Sequence, residues 1–334
     1  MAKRRQGGHL HRHRIDTHHH IYPPKYFAEE PDLIAAAAPG FKARLAAWTP
    51  QEALDIMDHN GIATAVTSIS APGIWFGNAE QTRRIARECN EFAAQMARDH
   101  KGRFGLFAVL PIPDIDGCMK EIEFIFDVLK ADGIGLVTSF GTRWPGDPAF
   151  TPIFDELNRR RAVVYFHPTV PDCCTGLIPG INPGMVEFPF DTVRAIISLL
   201  FSGTFSRCGN IRWIFSHAGG VLTSLAPRIA MQAARRPDLA PLVPRGAMHE
   251  FGKLYYDIVS AAHPLPFNAI REIAGISHLL YGSDYPFWEP KVTSDNIAKL
   301  NLSPEDLCAI ERGNALRLLP GLQPEELAAR VTTG

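Results

Sequence analysis

The sequence lacks long apolar runs and has few cysteines. Its longest uninterrupted run of apolar side chains, residues 33–38, has six residues, whereas a membrane-spanning helix needs about 20. The six cysteines show neither zinc-finger spacing nor the pattern of a disulfide framework. The sequence therefore predicts neither an integral membrane protein nor a disulfide-stabilised secreted domain, and we expect all six thiols to be reduced.

The sequence also lacks an excess of charge of either sign. Lys and Arg total 34 and Asp and Glu total 35, which gives a formal net charge of −1. This balance argues against a nucleic acid or an anionic membrane surface as partner. Residues 1–13 are basic but no apolar segment follows them, so they do not resemble a secretory signal. We expect a cytoplasmic protein with a disordered basic tail over residues 1–13, in which His13 has no defined partner, and one domain over 14–334.

Eight short β-branched or aromatic segments alternate with longer amphipathic ones. Several are nearly continuous apolar runs, as in a parallel sheet that is covered on both faces. Eight strands, each followed by a helix, predict an α/β fold of the (β/α)8 TIM barrel type. A doubly wound open sheet is the alternative, but no glycine-rich phosphate turn follows an early strand. The strands are predicted at 14–16, 63–69, 104–109, 133–137, 163–166, 212–215, 254–258 and 278–281.

Helix boundaries and two insertions can also be located. Thr49 and Glu52 form a capping box, and Asn78 is placed to cap a long helix that ends near residue 100. An insertion over residues 22–48 follows strand one and is predicted to carry an extra helix around 31–48. A second insertion, residues 168–189, follows strand five and contains five prolines. In a barrel both insertions would lie on the catalytic face, the second as a lid or an oligomer contact.

Histidine and aspartate residues follow four of the predicted strands. His18 and His20 are two apart at the end of strand one and therefore share a face, whereas the histidine between them points away. His167 follows strand five, His217 follows strand six and Asp284 follows strand eight. A single histidine at a strand end is usually structural, but four such ends at one rim are hard to obtain by chance. The pattern predicts a mononuclear metal site formed by His18, His20, His167 and Asp284.

The amino-acid sequences of these strand ends resemble those of a known family. Residues 16–20, 166–168, 216–220 and 282–286 are similar to the amidohydrolase superfamily, in its aminocarboxymuconate-semialdehyde decarboxylase branch. The resemblance extends over residues 14–317. Within that branch, the stretches 70–73, 89–91, 107–111 and 131–136 are most similar to 6-methylsalicylate decarboxylases.

The resemblance implies a metal-dependent, non-oxidative decarboxylase. The expected substrate is an ortho-hydroxy aromatic acid, either 6-methylsalicylate or a related salicylate or dihydroxybenzoate, and CO2 is released. Binuclear amidohydrolases use a carbamylated lysine after strand four, but residues 136–141 contain no lysine. One divalent ion is therefore expected, with zinc favoured over manganese or magnesium. Two alternatives stay open. The protein could be a metal-dependent hydrolase of a lactone or amide, or a non-catalytic metal-binding scaffold.

Two residues are predicted to move protons. Asp284 is the candidate acid that protonates the carboxyl-bearing ring carbon, in addition to its role as a ligand. His217 is expected to hydrogen-bond water or a substrate oxygen and to transfer protons at neutral pH. Protonation before the C–C bond breaks avoids a free aryl carbanion, which is why the chemistry requires an acid at this position.

Contacts to the rest of the substrate are predicted from the loops. A carboxylate favours a guanidinium partner, and in the resembled family an arginine at the offset of Arg228 reaches the active site of a neighbouring subunit. We therefore expect a homodimer or homotetramer. Arg44 and Arg143 lie in other rim loops and are alternatives, and Phe287 and Trp288 are expected to wall the aromatic ring.

Overall fold

Eight parallel strands in sequential order form the centre of the molecule. The computed structural model describes residues 13–322. Each strand hydrogen-bonds to the next one along the chain, and helices cover the outside, so the predicted (β/α)8 barrel is confirmed. All eight predicted strands are present. Their bounds are β1 (Arg14–His20), β2 (Ile62–Ser68), β3 (Phe104–Val109), β4 (Gly133–Val137), β5 (Val163–His167), β6 (Arg212–Phe215), β7 (Tyr255–Asp257) and β8 (Leu279–Leu280).

The barrel closes between its last and first strands. Thr17 N donates to Tyr281 O at 3.0 Å, and His20 N donates to Tyr285 O at 2.8 Å. These bonds continue past the short strand β8 into the loop that follows it. The closure therefore brings the loop after β8 against the C-terminal end of β1.

Capping residues begin the two helices with the clearest sequence signals. Thr49 Oγ1 accepts from Glu52 N at 3.2 Å, and Asn78 Oδ1 accepts from Gln81 N at 2.9 Å, which confirms both predicted N-termini. Two π-helical segments extend helices at Ile125–Leu129 and Ala309–Gly313. The α-helices are α1 (Pro24–Glu29), α2 (Pro31–Ala37), α3 (Lys42–Ala46), α4 (Pro50–His59), α5 (Ala79–Asp99), α6 (Ile115–Phe124), α7 (Thr151–Arg159), α8 (Glu187–Phe201), α9 (Thr204–Arg207), α10 (Leu222–Ala234), α11 (Ala247–Gly252), α12 (Pro264–Ala274), α13 (Pro290–Ile297), α14 (Pro304–Cys308) and α15 (Asn314–Leu318).

An apolar cluster fills the lower part of the barrel. Its residues come from the interior faces of the strands and from the C-terminal helix α15, and nearly all are fully buried. Phe107 and Tyr165 stack at a centroid distance of 5.3 Å. This layer supports the side chains above it at the barrel mouth, and its members are Ile15, Val66, Phe107, Val163, Tyr165, Ile214, Leu280, Ala315, Leu318 and Leu319.

The two insertions lie where the sequence placed them, but their secondary structure differs in detail. The first contains three short helices, α1 to α3, instead of the single extra helix that was expected around residues 31–48. Pro39 cannot donate a helical hydrogen bond, and Gly40 adopts a φ of 88°, so the chain turns between α2 and α3. The second insertion contains two 3₁₀ turns, Asp172–Cys174 and Pro183–Met185, and ends in the first turn of α8.

Residues 1–12 of the predicted basic tail lie outside the described part of the chain. The expectation that His13 has no partner is wrong, because its ring contacts Glu311, which also accepts from Arg14 Nε at 2.7 Å. All six cysteines are free. Between residues 13 and 322, no helix has both the length and the apolar character needed to cross a bilayer.

Candidate active site

Four side chains from three strand ends converge at the barrel mouth. His18, His20, His167 and Asp284 each offer one ligand atom, and all four atoms lie within 4.8 Å of one another. Asp284 Oδ1 lies 3.1 Å from His18 Nε2, 3.2 Å from His20 Nε2 and 3.8 Å from His167 Nε2. Ligands bonded at about 2.0–2.1 Å to one tetrahedral ion lie roughly 3.3 Å apart. The structure therefore brings together the four predicted ligands at the spacing of a single divalent cation.

A β-bulge in β1 determines the direction in which the side chains of His18 and His20 point. The register with β2 shifts between Asp16 and His19, so the side chains after the shift change face. His18 then packs edge-on against Tyr165 inside the barrel, with ring centroids 5.6 Å apart. His19 points away and stacks on Tyr285 at 4.7 Å, as the alternation of the strand predicts.

Hydrogen bonds at the far ring nitrogens orient the three imidazoles. His18 Nδ1 lies 2.9 Å from Asp257 Oδ2, and His20 Nδ1 lies 3.1 Å from Ser68 Oγ. His167 Nδ1 lies 2.9 Å from the carbonyl oxygen of the next residue. A carboxylate and a carbonyl can only accept, so Nδ1 of His18 and of His167 carries a hydrogen, and in the neutral ring Nε2 then keeps its lone pair for a ligand.

The protonation states of the four side chains favour a bound cation. Burial lowers the pKa of His20 to about 4 and that of His167 well below its usual value, so both rings are neutral. Burial also lowers the pKa of His18, but the carboxylates of Asp257 and Asp284 outweigh it and raise that pKa to about 10. Asp284 Oδ1 is buried and has no hydrogen-bond partner of acceptable geometry. A buried carboxylate oxygen beside three imidazole nitrogens fits one divalent metal ion, which would take the place of the proton on His18.

Asp284 divides its two carboxylate oxygens between two neighbours. Oδ1 faces the imidazole cluster, whereas Oδ2 lies 3.3 Å from His217 Nε2. His217 also places Nδ1 3.1 Å from Ser216 Oγ, and its side chain is 17% exposed. Burial raises the pKa of Asp284, but the charge of His18 and the closeness of the three imidazoles lower it well below its usual range. Asp284 is therefore a carboxylate that connects the ligand cluster to a partly exposed histidine.

Both Asp284 and His217 have left-handed backbones, with φ of 61° and 53°. Such conformations cost about 1–3 kcal/mol for residues other than glycine and concentrate at functional sites. Asp284 N donates to His18 O at 2.8 Å, and His217 N donates to Asp257 Oδ1 at 3.0 Å. Glycine at position 282 lets the loop come close enough for the bond between Asp284 N and His18 O, because a Cβ there would lie 2.8 Å from His18 Cβ.

Two buried aspartates with no role predicted from the sequence also support the site. Asp257, at the end of β7, contacts both His18 and His217. Asp16 Oδ1 accepts from the backbone of His18 at 3.1 Å and from that of Ser283 at 3.0 Å, which ties β1 to the loop after β8. A carboxylate that ends an aromatic strand is the same signal that identified Asp284, and it could have identified Asp257.

A cavity of about 650 Å³ lies beside the ligand cluster. His167, His217 and Asp284 form part of its wall. The remaining wall is mostly apolar and draws on both insertions, and no described residue that lines it is a lysine or an arginine. Its apolar side chains include Ala37, Ala38, Phe41, Met185, Phe188, Val221, Phe287 and Trp288.

The predicted substrate contacts divide into two groups. Phe287 and Trp288 both line the cavity, as expected. Arg228 is exposed on α10 and does not line the cavity of its own chain. Arg44 and Arg143 also lie outside that wall. Arg44 is 3.6 Å from Glu289 in the loop after β8, and Arg143 is 3.9 Å from Asp147 in its own loop. Within one described chain, the carboxylate of an aromatic acid therefore finds no guanidinium in this cavity.

Curated relatives cover nearly the whole chain. A decarboxylase of Aspergillus niger is 33% identical over 93% of this chain and 88% of its own length. A 6-methylsalicylic acid decarboxylase of Penicillium expansum is 32% identical over 93% of this chain and 97% of its own length. Both relatives are decarboxylases, and the comparisons give no support to the hydrolysis of a lactone or amide.

A solved structure with the same fold supports the architecture. The dihydroxybenzoic acid decarboxylase of a Polaromonas species, determined with manganese and the inhibitor 2-nitroresorcinol, superposes with a TM-score of 0.79 at 20% identity, over 94% of this chain and 99% of that one. The family model for amidohydrolases matches residues 15–321. With the four-ligand cluster at the mouth of the barrel, these matches show that the chain belongs to the amidohydrolase family, in its branch of decarboxylases.

Proposed function

We propose that this protein removes CO2, without oxidation, from an ortho-hydroxy aromatic acid, with 6-methylsalicylate or a related salicylate or dihydroxybenzoate as substrate. The observation that carries the proposal is the apolar cavity next to a three-histidine, one-aspartate cluster. The cluster supplies ligands for a metal ion that would bind the acid, and the apolar walls of the cavity suit a benzene ring. The similarity to a fungal 6-methylsalicylic acid decarboxylase supports the choice of ring.

His18, His20, His167 and Asp284 would hold the ion, and His217 would act beside it. When bound, a divalent ion supplies Lewis-acid polarisation of the carboxylate and phenolic oxygens. We propose that zinc is the native metal, because three neutral imidazoles and one carboxylate are a favourable zinc donor set. Manganese is the main alternative, since the Polaromonas relative was determined with it.

The proton path runs through the second oxygen of Asp284. His217 Nε2 lies 3.3 Å from Asp284 Oδ2 and its ring is partly exposed, so it can pass a proton from solvent to that oxygen. Asp284 then protonates the ring carbon that bears the carboxyl group. The C–C bond to the carboxyl group breaks, its electron pair restores the aromatic ring, and CO2 leaves. Asp284 returns to the carboxylate form that its surroundings favour.

Apolar side chains would hold the ring and exclude water. The Phe287 ring lies 5.8 Å from the His20 ring in an edge-on arrangement and lines the cavity. Met185 and Phe188, both in the second insertion, line the same cavity. We propose that residues 168–189 act as a lid over the bound acid.

We further propose a homodimer or homotetramer in which Arg228 binds the substrate carboxylate of a neighbouring subunit. Thr223, near the start of α10, lines the cavity, and Arg228 is exposed further along the same helix. A mixture of Arg228→Ala and Asp284→Asn subunits tests this arrangement. Hybrid oligomers should regain activity that neither variant has alone, because one kind of site then combines an intact Asp284 with an intact Arg228. No gain on mixing would refute a shared site. We also propose a cytoplasmic location, which cell fractionation can test.

The decisive test of function is metal analysis combined with a CO2-release screen. Purified protein should contain about one divalent ion per chain and release CO2 from 6-methylsalicylate, with the salicylate and 2,6-dihydroxybenzoate series as comparison. The aromatic product should carry one new ring hydrogen derived from solvent, detected as deuterium in D2O. Turnover of lactones or amides with no CO2 from any aromatic acid would overturn the proposal.

A further inference from the structure

Two buried hydroxyl groups close to the ligand cluster have no hydrogen-bond partner. Ser70 and Tyr22 are each 1% exposed, and neither Ser70 Oγ nor the Tyr22 hydroxyl has a partner of acceptable geometry. A buried hydroxyl without a partner destabilises the folded protein, so such groups usually bind a ligand or an ordered water. The two residues are therefore candidates for contact with a bound molecule.

Their positions in the fold place them at the same site. Ser70 lies two residues after Ser68, the serine whose hydroxyl contacts His20, and Ser70 itself lines the 650 Å³ cavity. Tyr22 lies two residues after His20, and its ring is 6.3 Å from that of Phe287, another residue of the cavity wall.

Ser70 stands out from the other polar groups of the wall. Among the described residues that line the cavity, buried side-chain atoms without a partner occur only on Asp284 and Ser70. The metal ion accounts for the first of these atoms. Asn182 already uses its side-chain oxygen to accept from Gly184 N at 2.8 Å. No lysine or arginine lines the wall between residues 13 and 322, so an anionic oxygen in the cavity needs neutral donors from this part of the chain.

We infer that the Ser70 hydroxyl donates a hydrogen bond to an oxygen atom at the carboxylate-bearing end of the substrate. A hydroxyl that donates to an ionised oxygen makes a charge-assisted bond, which is stronger than a neutral one. The inference rests on the proposed decarboxylation. It adds a polar contact to a wall that otherwise selects by shape and apolar surface.

The test compares Ser70→Ala with Ser70→Thr, which keeps a hydroxyl, and with Ser139→Ala as a control. Ser139 is a buried serine whose hydroxyl also lacks a partner, but it lies outside this cavity. In Ser70→Ala, KM for 6-methylsalicylate and the dissociation constant of 2-nitroresorcinol should each rise about 10- to 100-fold, the usual range for a bond to a charged group. Ser70→Thr should recover most of the loss, and Ser139→Ala should match the wild type.

Three readouts separate the possible outcomes. Unchanged KM and unchanged inhibitor binding in Ser70→Ala would overturn the inference, since water would then satisfy the hydroxyl. A loss of metal content that matches the loss of binding would also overturn it, because Ser70 would then support the cluster through the strand. If the wild type releases no CO2 from any acid, the proposed function fails by itself. Weaker binding of 2-nitroresorcinol by metal-loaded Ser70→Ala would still support Ser70 as a ligand contact.

Discussion

Asp257 Oδ2 lies 2.9 Å from Nδ1 of His18, so a carboxylate from β7 fixes the orientation of a candidate metal ligand on β1. The other oxygen of the same carboxylate accepts from the backbone of His217 at 3.0 Å. One buried side chain therefore fixes both the orientation of the His18 ring, which is proposed to bind the ion, and the backbone of His217, the proposed proton relay. Neighbours that hold the far nitrogen of a histidine ligand commonly affect metal affinity.

Replacement of Asp257 by asparagine should weaken metal binding by about 10- to 100-fold. If the amide nitrogen faces His18 Nδ1, it donates a hydrogen there and forces the proton to Nε2, the nitrogen that must bind the ion. Competition with a chromophoric chelator measures the affinity. Asp191→Asn is the matched control, because Asp191 is also fully buried but lies outside the cluster. Wild-type affinity in Asp257→Asn would show that the carboxylate does not set the tautomer.

Replacement of Asp284 by asparagine should separate binding from turnover. The amide oxygen can still face the cluster, so some metal remains, but the group can no longer carry the proton to the ring. General acid catalysis contributes about 10²- to 10⁴-fold, so kcat should fall at least about 100-fold. Metal content by mass spectrometry and CO2 release by coupled assay give the two quantities. Near-wild-type kcat in a metal-loaded variant would remove Asp284 from the acid role.

Removal of the ion should lower both activity and thermal stability. An ion present at 100 times its dissociation constant stabilises the folded state by about 2.7 kcal/mol, which corresponds to a fall of several degrees in Tm after chelation. Scanning calorimetry before and after chelator treatment checks this, and added zinc or manganese should restore the original value. His20→Ala is the control, since its Tm should not respond to the chelator. An identical response in His20→Ala would place the stabilising ion elsewhere.

Replacement of Gly282 by alanine should damage the site through packing alone. The new methyl would lie 2.8 Å from His18 Cβ and 3.2 Å from Asp257 Cβ. Overpacking of this kind costs about 1–3 kcal/mol, and the shift of His18 should reduce metal affinity as well. Gly209→Ala serves as the comparison, because a methyl there meets nothing within 4 Å. Denaturant unfolding gives the free energies, and equal values for the two variants would contradict the steric explanation.

The local sequence is enough to predict the barrel and the residues of the candidate metal site. The eight strands were predicted because a parallel sheet covered on both faces leaves nearly continuous apolar runs, and α4 and α5 were located by Thr49 and Asn78 at their caps. His18, His20, His167 and Asp284 were found because the carboxyl ends of parallel strands meet at one rim. These signals are short-range, so they can be recognised in a single stretch of chain.

The tertiary structure decided the features that depend on distant contacts. The bulge in β1, the bond between Asp257 and His18 across 239 positions, and the unpartnered hydroxyl of Ser70 leave no clear trace in local sequence. Arg228 is exposed instead of lining its own cavity, because the direction of a helical side chain depends on how the helix packs. Composition and spacing thus determine which elements form and which residue types reach the rim. Closure of the barrel determines which of those residues touch, since register, burial and pairing are properties of the packed whole.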